Sequence, residues 1–256
     1  MRNERSFDLL FCDRLNLANS TIFFNPAFAE DPVFNHIVLD DSILEGKSSQ
    51  ENEIFLSELS AAGEELRHYS IRPTLFMEHF WVASKNLLEM AIDSDFRIIE
   101  QMNILSKSMR EKSEPISAPQ SVDVRATSEI EAWNNVFTAS YEIPDRWNEE
   151  LLSREKDIVA NQSAILAIAS VEEDPSGCIL LKEEPEGILG VYCVGTLPEK
   201  RGRGVARALL SFSEVHAREI GAETITLQTL VRDNVTPMYL KLGYASEFER
   251  NVLQRF

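Results

Sequence analysis

The chain has 256 residues, 44% of them apolar, which is enough to bury a sizeable core and makes two domains a better expectation than one. Its formal net charge of -17 argues against nucleic acid or an anionic membrane as partner, because both would repel the average surface. Cys12, Cys178 and Cys193 show neither metal-ligand spacing nor an even disulfide framework, the opening MRNERSFDLLFCDRLNL is a poor signal peptide, and no run is long enough to span a bilayer. A reduced cytoplasmic protein with no metal is therefore expected.

In chain order, RLNLANSTIFFNPAF holds one or two strands, SSQENEIFLSELSAAGEELRH reads as a helix, and SIRPTLFMEHFWV looks extended. A second helix, SKNLLEMAI, and a strand, FRIIEQMNILS, complete the first half. The stretch EKSEPISAPQS has two prolines, several serines and no apolar period, so the domains are drawn as 1–112, a linker over 113–121, and 122–256.

Beyond it, VDVRATS alternates as a strand, and EIEAWNNVFTASY places Ile130, Trp133, Val136 and Phe137 on one helical face. Pro144 breaks that helix and a second is expected from Arg146 to Leu152. The apolar runs AILAIASV, CILLK and ILGVYCVGT, separated by EEDPSG and EEPEG, predict an antiparallel meander. VARALLSFSEVHAREIG then reads as a helix, ETITLQTL as a strand, and PMYLKLG as a short helix with Asp233 and Asn234 as cap candidates. A last strand pair is expected from Tyr244 onward.

The segment that carries chemistry is Arg201-Gly202-Arg203-Gly204-Val205-Ala206-Arg207, between a predicted strand and a predicted helix. Such a loop leaves the first helical N–H groups unpaired, the glycines let phosphate oxygens approach, and the helix dipole adds positive potential, so a pyrophosphate suits it. A Walker loop would need lysine and then serine or threonine where Val205 and Ala206 stand. A dinucleotide fingerprint would need glycine or alanine at Arg207 and no intervening Leu197 to Lys200.

Arg201-x-x-Gly204-x-Ala206 resembles the coenzyme A loop of the GNAT acetyltransferases, and Val194-Gly195-Thr196-Leu197-Pro198-Glu199 is similar to that family's fourth strand and exit turn. Asn234, Tyr239 and Lys241-Leu242-Gly243-Tyr244 resemble its second signature at the right distance. The resemblance runs from about Val122 to the C-terminus. It implies an α/β protein with a GNAT fold, a mixed and mostly antiparallel sheet flanked by helices. The N-terminal half repeats the coarse order of the closing elements, so it is expected to be an accessory α/β domain or a diverged GNAT-like copy without the glycine-rich loop.

The implied activity is direct transfer of an acetyl group from acetyl-CoA to an amine. The backbone of Val194 and Thr196 would pair with the pantetheine arm, Val194 would polarise the thioester carbonyl, and Asn234 would bind pantetheine. Residues Arg201, Gly202, Arg203, Gly204, Val205, Ala206 and Arg207 would cradle the pyrophosphate, and Tyr239 would bind the cofactor and protonate the departing thiolate. Glu142, Asp145 and Glu173 are base candidates with no spacing to choose among them. A small-molecule amine is favoured over a protein acceptor, with a homodimer admitted.

Plainer readings stand beside these: Tyr239 as a packed aromatic, Asn234 as a helix cap, Cys193 as a small core residue, and Trp133, Tyr141 and Trp147 as core or as pocket lining. The alternative at the level of function is a silent acetyl-CoA-binding sensor or regulatory module.

Overall fold

The structure is a computed structural model that describes residues 5–40, 48–78, 84–110 and 115–256. The described residues divide into two compact units, neither of them one run of sequence. The first takes Met1–Leu10, Ser106–Leu227 and Tyr239–Ala245; the second takes Phe11–Leu105, Gln228–Met238 and Ser246–Phe256. The expected division at 113–121 follows composition, whereas these units are assembled from interleaved stretches.

In the second unit, β1 (Asp13–Asn16), β2 (Ser20–Phe24) and β3 (His36–Leu39) form an antiparallel meander. The helix α2 (Ser49–Arg67) then crosses to β4 (Thr74–Glu78), which runs parallel to β3 with Ile37 opposite Leu75. α3 (Ser84–Asp93) and β5 (Phe96–Ser108) follow, and the C-terminal strand β11 (Ala245–Arg255) pairs antiparallel with β4. Ser48 caps α2 by accepting the Glu51 N–H. Phe55, Leu59, Ala62 and Leu66 turn inward from α2 at helical spacing onto Ile22, Ile37, Leu75 and Leu253. Phe55, Leu59 and Leu66 each contribute roughly 1.5–3 kcal/mol by leaving water. The predicted HFWV end of the β4 segment lies outside the described residues.

In the first unit, β6 (Val122–Ala126), β7 (Ile165–Val171), β8 (Asp174–Glu184) and β9 (Ile188–Thr196) are successive antiparallel neighbours. Helix α6 (Val205–Glu219) crosses to β10 (Thr224–Leu230), which runs parallel to β9. Between β6 and β7 lie α4 (Ile130–Tyr141) and α5 (Asn148–Ala160), and α7 (Thr236–Lys241) precedes β11. A short α1 (Arg5–Phe11) opens the described chain. The strand, crossing helix and parallel strand of β9-α6-β10 repeat the plan of β3-α2-β4, which is the diverged-copy pattern expected of the N-terminal half.

Three expectations are corrected. The last segment is one eleven-residue strand, not a pair, because Ala245–Arg255 keeps its pairing along β4 without a turn. α5 runs on to Ala160, since Leu151, Glu155 and Ile158 give it a buried face beyond Leu152. β8 begins at Asp174 because Glu172 and Glu173, with φ of 54° and 70°, make a two-residue hairpin without glycine. Within the expected linker, Ile116 is buried, donates its N–H to Glu214 at 2.8 Å and accepts from Ser211 Oγ at 2.7 Å, while most of its neighbours from 115 to 121 are exposed.

Candidate functional site

Strand β9 changes character halfway along. Leu180 stands opposite Tyr192 and Cys178 opposite Gly195, so Ile179 alone faces Cys193 and Val194, and Cys193 takes a φ of 52°. This is a β-bulge at a residue for which a left-handed backbone is strained. On the other side, β10 pairs Thr224, Ile225 and Thr226 with Ile188, Leu189 and Gly190, and no pair beyond Gly190 is made among the described residues. The edge of β9 at Val194 and Thr196 is thus turned by the bulge and left without β10 beside it. Tyr141 Oη donates to the Val194 carbonyl at 3.0 Å, which ties the end of α4 to the bulge.

The chain leaves β9 through a turn over Pro198–Lys200 and enters α6 at Gly204. Gly202 and Gly204 have φ of 77° and 83°, a region that glycine enters without penalty. At Gly204 a Cβ would lie 2.5 Å from Pro119 Cγ, so only glycine fits. Gly204 caps α6 with no side-chain acceptor, and the first helical N–H groups keep their donor capacity. Val205 is buried and packs toward Gly177, where a Cβ would stand 2.4 Å from Val205 Cγ1; Ala206 is half-buried. Arg203 and Arg207 are exposed beside the loop. Arg201 reaches back instead, its Nε and Nη2 donating at 3.4 Å to the carbonyls of Thr196 and Ser140.

Tyr239 is buried and meets Tyr244 edge-on, with ring centroids 5.7 Å apart. Its hydroxyl makes no hydrogen bond among the described residues, and burial pushes the phenol up to about 12, so it holds its proton through the neutral range. The turn behind it folds back through Leu242 and Tyr244 N–H groups onto the Tyr239 carbonyl, at 2.9 and 3.1 Å. Lys107 of β5 clamps this turn: Nζ donates to the Leu242 carbonyl at 2.7 Å, pairs with the Glu214 carboxylate of α6, and lies over the Tyr244 ring. Sequence reading missed Lys107, because it sits in the half outside the resemblance and a lone lysine in a strand reads as surface.

Asn234 belongs to the second unit, where it is exposed and left-handed, with φ of 51°, after the turn Val231–Asp233. It does not cap α7. Thr236 opens that helix and its Oγ1 accepts from Asn103 Nδ2 and meets Thr229 Oγ1, both at 3.0 Å.

Glu142, Asp145 and Glu173 are all exposed. Glu142 and Asp145 flank the loop that Tyr141 ties to Val194, whereas Glu173 sits at the β7–β8 hairpin whose Asp174 pairs with Lys200, past the end of β9. Trp133 is core, donating Nε1 to the Ile179 carbonyl at 3.1 Å, and Trp147 is buried as well. Among the described residues, no three His, Cys, Asp or Glu side chains are grouped to hold a metal ion, and no helix is long and apolar enough to cross a membrane.

The glycine-rich entry to a helix directly after a strand is what the sequence resemblance called for, and the bulge at Cys193 and the parallel neighbour that stops short are added by the structure. The Acetyltransferase (GNAT) family matches residues 130–244. Within the C-terminal half, residues 130–244 are thus similar to a GNAT domain. Mycothiol acetyltransferase of Propionibacterium freudenreichii subsp. shermanii is 30% identical over 89 residues, a match covering 28% of this chain and 28% of that protein. The solved structure of a GCN5-related N-acetyltransferase from Kribbella flavida superposes with a TM-score of 0.71 at 14% identity, covering 98% of this chain and 92% of that one. A conserved protein of Staphylococcus epidermidis gives 0.69 at 14% identity, with 96% and 94% covered. These likenesses establish the fold, and because they span the whole chain, the N-terminal half is GNAT-like too.

Proposed function

We propose that this GNAT protein is an acetyl-CoA-dependent N-acetyltransferase that moves an acetyl group to an amine by direct attack in a ternary complex. The observation that carries the reading is the uncapped α6 N-terminus at Gly204, following a strand whose edge is bulged at Cys193 and unpaired past Gly190. Unpaired helical N–H groups and the local dipole suit a pyrophosphate, with Arg203 and Arg207 exposed beside them. The edge at Val194 and Thr196, beyond the last pair with β10, suits a pantetheine arm added as a strand.

In this reading the amine attacks the thioester carbon, the new N–C bond forms, and the carbonyl electrons move to an oxyanion held by the Val194 N–H. Collapse breaks the C–S bond and Tyr239 gives its proton to the thiolate. The nitrogen of the adduct then returns a proton to the Tyr239 phenolate. The acceptor is a small amine rather than a protein, and the acidic surface favours a cationic one. Asn234 is assigned to the pantetheine arm.

The test is release of free thiol from acetyl-CoA with spermidine, kanamycin, L-lysine and a lysine-containing peptide in turn. Release with one of them and a loss of roughly tenfold to a hundredfold in kcat for Tyr239→Phe, at unchanged acetyl-CoA affinity, is expected. Acetyl-CoA binding with no release from any amine points instead to a sensor module.

A further inference from the structure

The proposed reaction leaves one proton without a destination. An acceptor amine arrives as an ammonium, must lose a proton before it attacks, and that proton has to reach a base. The exposed candidates Glu142, Asp145 and Glu173 are solvated carboxylates. A fourth carboxyl is built differently. Glu155 lies on the inner face of α5 and is 0% exposed, and neither Oε1 nor Oε2 has a hydrogen-bond partner among the described residues.

Its surroundings place it by the bulge. Glu155 is close enough to Cys178 and Cys193 for its charge to raise both thiols, although burial is the main cause of each shift. Cys178 Sγ donates to the Cys193 carbonyl at 3.4 Å, and Cys193 immediately precedes Val194. On the far side of Cys178, a Cβ on Gly195 would come within 2.8 Å of both Cys178 Sγ and Ser140 Cβ. Ser140 Oγ and Asn134 Oδ1 of α4 and Asn148 Oδ1 of α5 are buried and unpartnered as well. The two amide oxygens accept hydrogen bonds only, whereas the Ser140 hydroxyl and the protonated Glu155 carboxyl both donate and accept. Each of these polar atoms left unmet costs about 1–3 kcal/mol, which water or a bound proton relieves.

We propose that Glu155 is the proton acceptor for the attacking amine. The inference rests on the acetyltransferase reading above. The ammonium N–H bond breaks, its electron pair stays on nitrogen as the nucleophile, and the proton passes to the Glu155 carboxylate. From there it is returned to solvent, one proton per acetyl group moved.

Burial holds the Glu155 carboxyl up to about 8, so it exchanges a proton near neutrality where an exposed carboxylate cannot. The groups facing it leave that titration undisturbed. Cys178 of β8 and Cys193 of β9 are themselves pushed up and stay neutral, the one charged side chain of α4, Glu131, is exposed, and β7 carries none.

The experiment compares the full chain with its Glu155→Gln variant, which keeps size and shape. Carbon-13 NMR of glutamate-labelled protein should show one carboxyl titrating near 8 that vanishes in Glu155→Gln. With the amine that releases thiol fastest in the panel above, wild-type kcat should climb along a limb at that same pH. The variant should lose that limb and roughly a hundredfold or more of kcat while acetyl-CoA affinity is unchanged. Glu155→Asp should recover part of the rate. Unaltered kcat and pH profile in Glu155→Gln, or a Glu155 carboxyl that titrates in the ordinary range, overturns the proposal while leaving the acetyltransferase reading standing. Failure of the wild type to release thiol from any amine removes the reading beneath it.

Discussion

At the residue scale, a buried carboxyl with no partner leaves a mark on stability whatever its chemistry. The Glu155 carboxyl ionises near 4.5 in the unfolded chain and near 8 in the fold, so it keeps its proton in the fold over a range where the unfolded chain gives it up. Its contribution to stability is complete below pH 4.5 and is lost as the pH climbs through 8, a change on the order of 4–5 kcal/mol. Urea unfolding at pH 5 and pH 8.5 should therefore show wild type weakening while Glu155→Gln stays level, with the variant the more stable of the two at the higher pH. Parallel behaviour of the two proteins would contradict the burial of an unpaired acid. None of this was readable beforehand, because Glu155 sits in a run of charged residues, NEELLSREKD, where a glutamate reads as solvated surface. Only the register of α5, set by Leu151 and Ile158, turns it inward.

At the scale of elements, the entry to α6 and the turn after Tyr239 bear most directly on the proposed chemistry. Gly204→Ala would force a left-handed alanine into Pro119, and is expected to cost roughly 1–3 kcal/mol in thermal or urea unfolding and to weaken acetyl-CoA binding. Lys107→Met would take the buried cation from the Glu214 carboxylate and leave it only Arg218 and the Ile116 N–H, a loss of about 1–3 kcal/mol by urea unfolding. Much of that should return in the double variant Lys107→Met/Glu214→Gln, while kcat stays depressed because the Leu242 carbonyl behind Tyr239 is still unclamped. Local pattern disclosed the α6 loop and the Tyr239 signature, since both depend on residues within a few positions of each other. Pro119 and Lys107 were hidden, because their roles arise only when distant stretches of chain pack against those elements.

At the scale of the whole molecule, the order of strands and helices from β6 to α7 followed from apolar period and turn residues, and the GNAT fold confirms it. The interleaving of the two units was not visible, because pairing of β11 with β4 is a contact across most of the chain length and leaves no local trace. One consequence is that the first unit draws on Phe7, stacked at 4.1 Å on Tyr192, and on Lys107, both upstream of Val122. A fragment of residues 122–256 should therefore lack a cooperative unfolding transition, as followed by circular dichroism on heating, whereas the full chain should show one. The measurement that bears most directly on the central claim is isothermal titration of the full chain with acetyl-CoA. Saturable binding of one equivalent per chain, weakened in Gly204→Ala, is the predicted result; absence of binding by folded wild-type protein would contradict the assignment of this site to an acyl-CoA.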